Sequence, residues 1–276
     1  MRVVAVLSLK GGVGKTSVVL GLAGAALQRR IRTLIVDLDP QGNCTATLEP
    51  GETRSTLADV LADPVRSVLK ASIAPSAWGE GLDVLVGAEE AEVHNRPAPN
   101  VRQLRGLDHA LSTLDTAAGP DDVPYRLVLL DCPPSMGQLT RSALVAADRA
   151  LLVTEPTIYA VSGVQRAFEA VQQERRYNPA LQPLGVVINR VRARSSEHSF
   201  RINELREIFG PLVLPTVLPD RSAVQQAQGA GLPIQRWGTP GAREIAMNFD
   251  ALLARMLRNT KIRRRPDAAT THEVGA

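Results

Sequence analysis

Short apolar runs alternate with longer amphipathic stretches along this chain. Residues 3–7, 33–36, 82–86, 127–130, 150–153, 184–188 and 213–217 are rich in Val, Ile and Leu. Several are apolar at consecutive rather than alternate positions, the pattern of strands covered on both faces. Between them, apolar residues recur at helical spacing over 16–29, 103–114, 139–147, 161–176 and 200–209. Strands and helices in this alternation predict an α/β fold, a doubly wound, mostly parallel sheet flanked by helices. A last helix is marked by Ile245, Phe249, Leu252, Leu253, Met256 and Leu257 on one face, which is expected to pack on the core. No internal repeat or long Pro/Gly/Ser linker divides the chain, so residues 1–260 are expected to form a single domain. The stretch 94–100, with Pro97 and Pro99, reads as a surface loop. Residues 261–276 are polar with a basic cluster at Lys261, Arg263, Arg264 and Arg265, and are expected to be a flexible tail.

Composition narrows the class. With 44% hydrophobic and 22% charged residues, the 276-residue chain has the balance of a globular protein, and 3% aromatics leave Val, Leu, Ile and Ala to fill its core. Cys44 and Cys132 make no disulfide framework, and the four histidines show no ligand spacing. No apolar run reaches the roughly 18 residues needed to span a bilayer. The opening MRVVAVLSLKGG meets a glycine loop at once, as a strand does and a signal peptide does not, so a cytoplasmic location is expected. A net charge of +4 permits contact with nucleic acid or anionic lipid. Only four of the 32 basic residues are lysines, and two of those, Lys10 and Lys15, share the glycine loop. In a chain that otherwise uses arginine, this marks positions that want a compact ammonium.

The loop itself is KGGVGKTS, from Lys10 through Gly11, Gly12, Val13, Gly14, Lys15 and Thr16 to Ser17, between the first strand and an apolar helix. Glycines let backbone amides approach a polyphosphate, and the helix N-terminus adds positive potential. Lys15 is placed to neutralise β and γ phosphates, and the Thr16 hydroxyl to bind Mg²⁺. The second strand closes in DLDPQGN, with Asp37 and Asp39 at strand spacing; Asp39 is the candidate that orients water at the γ phosphate. The fourth, LVLLDCPPS, ends in Asp131, a carboxylate that can hold Mg²⁺ through water. Cys44 and Cys132 are expected to be packed side chains. Asn189 closes another strand. It could meet an adenine edge or simply terminate the strand, and the guanine signature AsnLysxAsp is absent after it.

The strict phosphate-loop pattern needs a glycine where Leu9 stands, and the pair Gly11–Gly12 with Lys10 replaces it. This KGGVGKTS form resembles the deviant Walker ATPases, and with DLDPQGN and DCPPS it resembles the ParA/Soj family of partition ATPases in particular. The likeness runs from residue 2 to about 258 and is weakest over 50–124. It implies an ATP hydrolase, slow and partner-stimulated, using ATP and Mg²⁺. It implies that Lys10 reaches the ATP of a partner subunit in a homodimer, that Asp39 is catalytic, and that Asp39 joins Thr16 and Asp131 around the metal. VLPDRSAVQQAQGAGLPI resembles the family's adenine-side loop, placing Pro219 and Asp220 near the base.

The same resemblance implies non-specific DNA binding, a nucleoid-associated location and a ParB-like activator in plasmid or chromosome segregation. Arg194 stands where the family has an arginine associated with DNA, and Arg190, Arg192 and Arg221 are further candidates, although each could be a solvated surface arginine. With the first strand starting at residue 2, no operator-reading domain is expected ahead of it. The alternatives are a MinD-like membrane-associated ATPase and one that positions chemoreceptor arrays or carboxysomes. Only Ile262 and Val274 are large and apolar after Leu257, so no membrane anchor is expected.

Overall fold

The computed structural model describes residues 1–115 and 123–260; the tail expected over 261–276 lies outside the described residues. Strands β1 (Arg2–Leu7), β2 (Thr33–Asp37), β3 (Ile73–Pro75), β4 (Leu82–Leu85), β5 (Leu127–Asp131), β6 (Arg149–Thr154), β7 (Gln182–Val191) and β8 (Val213–Pro219) form one sheet, ordered β3-β4-β2-β5-β1-β6-β7-β8. Every neighbouring pair is parallel except β3 with β4. The helices are α1 (Lys15–Gln28), α2 (Asn43–Leu48), α3 (Leu57–Ala62), α4 (Arg66–Ala71), α5 (Val101–Ser112), α6 (Gln138–Ala146), α7 (Ala160–Glu174), α8 (Ser196–Phe209), α9 (Ser222–Gly229) and α10 (Pro240–Asn259).

Alternate residues of each central strand feed different layers, which is why the runs are continuously apolar. Val3, Ala5 and Leu7 of β1 pack with Leu107, Leu144 and Val164 from α5, α6 and α7. Val4 and Val6 face the opposite layer, with Val18, Leu22, Phe249 and Leu253 from α1 and α10. The last helix is therefore core packing, as its apolar stripe predicts. Phe249 lies so close to α1 that a methyl group at Gly21 would overlap its ring.

All seven expected strands are present; β3 is the addition, a three-residue antiparallel edge strand ending in Pro75, too short for a period to show. The segment with little legible pattern holds α3 and α4, which like α2 before them have six residues, short of two helical turns. Helix starts move upstream where caps act. Ser195 accepts from the His198 amide at 3.2 Å to open α8, and Thr239 with Pro240 opens α10. Residues 95–100 form the expected loop, with His94 ending a 3₁₀ turn, Glu89–His94.

Candidate active site at the carboxyl edge of the sheet

β1 lies between β5 and β6, and its partner across the first crossover, β2, lies beyond β5. The carboxyl ends of β1, β2 and β5 thus open together where the winding reverses, the place at which such sheets bind ligands. The glycine loop leaves β1 there. Gly14 caps α1 at φ 84°, a left-handed conformation, and a methyl group on it would overlap the Asn189 amide, so both backbone and neighbour demand glycine. A Cβ at Gly11 or Gly12 would meet nothing within 4 Å, leaving the space above the loop open. Lys15 is buried, 7% exposed, and Lys10 points out into solvent.

Opposite the loop, Asp37 and Asp131 are register partners on adjacent strands, both fully buried. Asp37 accepts from the Thr45 amide at 2.8 Å and the Asp39 amide at 3.3 Å, which ties the DLDPQGN loop to its strand. Neither oxygen of Asp131 has a well-formed hydrogen bond among the described residues. Burial, and then the charge of Asp37, push the Asp131 carboxyl up to about 8, against the pull of the Thr16 hydroxyl and the Lys15 ammonium. Burial raises Asp37 to about 6, partly offset by its bonds to Thr45 and Asp39. Asp39 is half-buried, accepts from the Gln41 amide at 3.1 Å, and is near enough to Asp131 to raise it further. The fold thus gathers Lys15, Thr16, Asp39 and Asp131. Burial and nearby acids push the thiols of Cys44 and Cys132 up as well, the state of inert packed cysteines.

Two buried carboxylates, that of Asp131 with both oxygens unbonded among the described residues, lie beside a hydroxyl and form an oxygen-donor pocket. That chemistry fits a hard divalent cation such as Mg²⁺. No group of three or more His, Cys, Asp or Glu side chains suited to a metal occurs among the described residues. A cation here would complete its shell with ligand oxygens and water.

Beside the loop lies a cavity of about 170 Å³ lined by Ser17, Asn189, Pro219, Asp220, Val224 and Phe249, among others. It unites four residues read from the sequence as nucleotide contacts. Sequence reasoning missed Phe249 and Ile245 as its wall, since their stripe signals only packing, and Gln228, whose amide donates to Ser17 Oγ at 3.1 Å. Asn189 donates through Nδ2 to the Val13 carbonyl at 2.8 Å.

The four arginines proposed for DNA are placed differently. Arg190 Nη1 contacts the Gly12 carbonyl at 2.7 Å and Glu155 at 2.8 Å. Arg192 pairs with Asp220 at 2.9 Å, and Arg221 with Glu244 of α10 at 2.7 Å. Arg194 is exposed and makes no ion pair among the described residues.

A family profile described as an AAA domain matches residues 1–183. The chromosome partitioning protein ParA of Caulobacter vibrioides is 34% identical over 241 residues, covering 85% of this chain and 86% of that protein. The sporulation initiation inhibitor protein Soj of Bacillus subtilis is 29% identical over 243 residues, 84% of this chain and 90% of its own. Among solved structures, cobyrinic acid a,c-diamide synthase from Mycobacterium smegmatis, with bound ADP and magnesium, superposes with a TM-score of 0.73 at 25% identity, covering 93% of this chain and 95% of that one.

Proposed function

Because the chain belongs to the ParA/Soj family of partition ATPases, we propose that it binds and hydrolyses ATP with Mg²⁺ at the carboxyl edge of the sheet and uses the cycle to segregate DNA. The carrying observation is the charge deficit at Asp131, whose two unbonded oxygens stand beside Thr16 and Lys15 at the mouth of an open glycine loop. Thr16 and Asp131 would hold the ion, with Asp39 close by. When bound, Mg²⁺ supplies positive charge to the terminal phosphate oxygens. Lys15 neutralises the same phosphates from the other side, the loop amides cradle them, and Asp39 orients a water and accepts its proton.

The base cavity supports adenine. Only the NH₂ of Asn189 can donate to the Val13 carbonyl, so its own oxygen remains as an acceptor at the cavity. An acceptor complements the exocyclic amino group of adenine and repels the carbonyl of guanine.

Lys10, exposed at the loop's tip, is the group that reaches a second subunit's ATP, so ATP drives homodimerisation. Dimerisation would join two modest basic faces into one extended face, and phosphate contacts then add. Arg194, with Arg192 and Arg221, supplies the DNA face, and a ParB-like activator stimulates a slow basal turnover. The apolar face of α10 is buried against α1, and no helix among the described residues is long and apolar enough to cross a membrane. Sedimentation velocity with a non-hydrolysable ATP analogue and Mg²⁺ tests the reading: a shift from monomer to dimer is expected, and a monomer at saturating analogue rejects it.

A further inference from the structure

β7 departs from regular pairing near its end. Its register with β8 slips between Ile188 and Val191, and Arg190, within that slip, has φ 53°, in the left-handed region that disfavours side-chain-bearing residues. Successive strand side chains ordinarily face opposite sides of a sheet, and a bulge re-aims them. Here Asn189 and Arg190 both reach the glycine loop, on adjacent carbonyls, those of Val13 and Gly12. The Arg190 guanidinium also meets Glu155, just beyond β6, at 2.8 Å.

A trans peptide unit is planar, with its C=O and N–H pointing in opposite directions. Holding the Gly12 carbonyl therefore sets the direction of the Val13 N–H, and holding the Val13 carbonyl sets that of Gly14. Both carbonyls are drawn towards β7, so both amides turn away from it. Those are loop amides that a polyphosphate needs.

We propose that Arg190, braced by Glu155, is a positioning residue for the nucleotide loop. It grips the Gly12 carbonyl and holds the peptide plane that presents the Val13 amide. The inference rests on the nucleotide reading of residues 10–17 and takes Arg190 out of the DNA face. Arg194, four positions along, is free of such bonds among the described residues; the Arg190 guanidinium is held by protein acceptors on two sides.

The test uses the full chain, a fluorescent ATP analogue with Mg²⁺, and turnover. Arg190→Ala is expected to raise the Kd and KM for nucleotide about 10-fold, as for loss of a charged hydrogen bond, with kcat little changed. Glu155→Gln should weaken nucleotide binding about 3-fold, the scale of a partly exposed ion pair. Arg190→Lys should recover much of the affinity, since an ammonium can still donate to the Gly12 carbonyl. Arg190→Gly suits the left-handed backbone, so its thermal midpoint should equal or exceed that of the unaltered protein while its nucleotide affinity falls as in the alanine variant. Unaltered nucleotide affinity in Arg190→Gly, when Lys15→Ala has lost binding, overturns the clamp alone. Unaltered affinity in Lys15→Ala as well overturns the nucleotide site beneath it.

Discussion

The carboxyl edge of the sheet and the arginine-rich face beside it carry their charges in opposite ways. At the first, Asp37, Asp131 and Lys15 are buried, and neither oxygen of Asp131 is hydrogen-bonded among the described residues. At the second, exposed Arg192 and half-buried Arg221 are matched by Asp220 and Glu244. Ionising a carboxyl buried this deeply costs several kcal/mol without a complementary ligand, so Asp131 holds its proton until one that supplies phosphate and cation together arrives. An exposed ion pair contributes about 0–1 kcal/mol and can exchange its carboxylate for a DNA phosphate at little cost. Substitutions at the buried edge should therefore act nearly all-or-none. Those on the exposed face should be graded and sensitive to salt.

The largest effect is expected for Lys15→Ala. Removing the buried ammonium leaves phosphate and carboxylates facing one another, and nucleotide affinity should fall more than ~100-fold, the scale of a lost buried charge partner. Calorimetric titration with ATP and Mg²⁺ measures it. Retained affinity would show that the loop does not hold the triphosphate. Asp39→Ala should separate binding from chemistry. Asp39 is half-buried and outside the Asp37–Asp131 pair, so affinity should hold while turnover drops ~100-fold, the usual contribution of a general base. Phosphate release measured at saturating ATP decides it, and turnover at the unaltered rate would remove Asp39 from the reaction.

Most of this buried edge was legible in the sequence because phosphate chemistry imposes contiguous residues. A glycine loop, Lys15 and Thr16 must follow one another, Asp131 closes β5, and Asp39 comes two residues after the end of β2. The strands were legible because burial on both faces makes them continuously apolar. What escaped depends on distant pairing. Asp37 gains its weight only as the register partner of Asp131. Arg190 reaches Gly12 across 178 positions of sequence through a bulge, and nothing local announces a left-handed arginine. In the sequence its proximity to Arg192 and Arg194 groups it with a basic face. The short helices α2, α3 and α4 and the strand β3 escaped for want of length, since six residues or three cannot display a period.

On the exposed face the expected order follows the pairing. Arg194→Glu should weaken DNA retention by the ATP-bound protein about 10-fold at moderate salt, since it removes an arginine with no competing carboxylate among the described residues and adds a repulsive charge. Arg192→Ala should cost less, about 3-fold, because Asp220 already competes for that guanidinium. Filter binding across a salt series reports both, with a shallower slope in each variant. Equal retention by Arg194→Glu and the unaltered protein would move the DNA face elsewhere.

A gradual effect, read over pH rather than by loss of a ligand, tests the buried edge without any ligand. Burial raises the carboxyls of Asp131, to about 8 with the repulsion of Asp37 added, and of Asp37, to about 6, in the folded protein, whereas in the unfolded chain both release their protons near the ordinary 3.8. Between these limits the folded state binds more protons than the unfolded state, so stability of the metal-free protein should fall as pH rises. One proton over two pH units sets an upper limit near 3 kcal/mol, and water entering through the open crevice should reduce the loss between pH 6 and pH 8 to ~1 kcal/mol, or ~2–4 °C in Tm. Asp131→Asn has no proton to lose there, and its Tm should be flatter over the same range. ATP with Mg²⁺ should reverse the trend, because ligation selects the ionised carboxylate and tightens as pH rises. Thermal melts in chelator at pH 6, 7 and 8, with and without the variant, measure the difference. A Tm that rises with pH in the metal-free protein, or falls equally steeply in Asp131→Asn, would mean that the buried carboxylates are matched after all and that the edge differs from the arginine face only in depth.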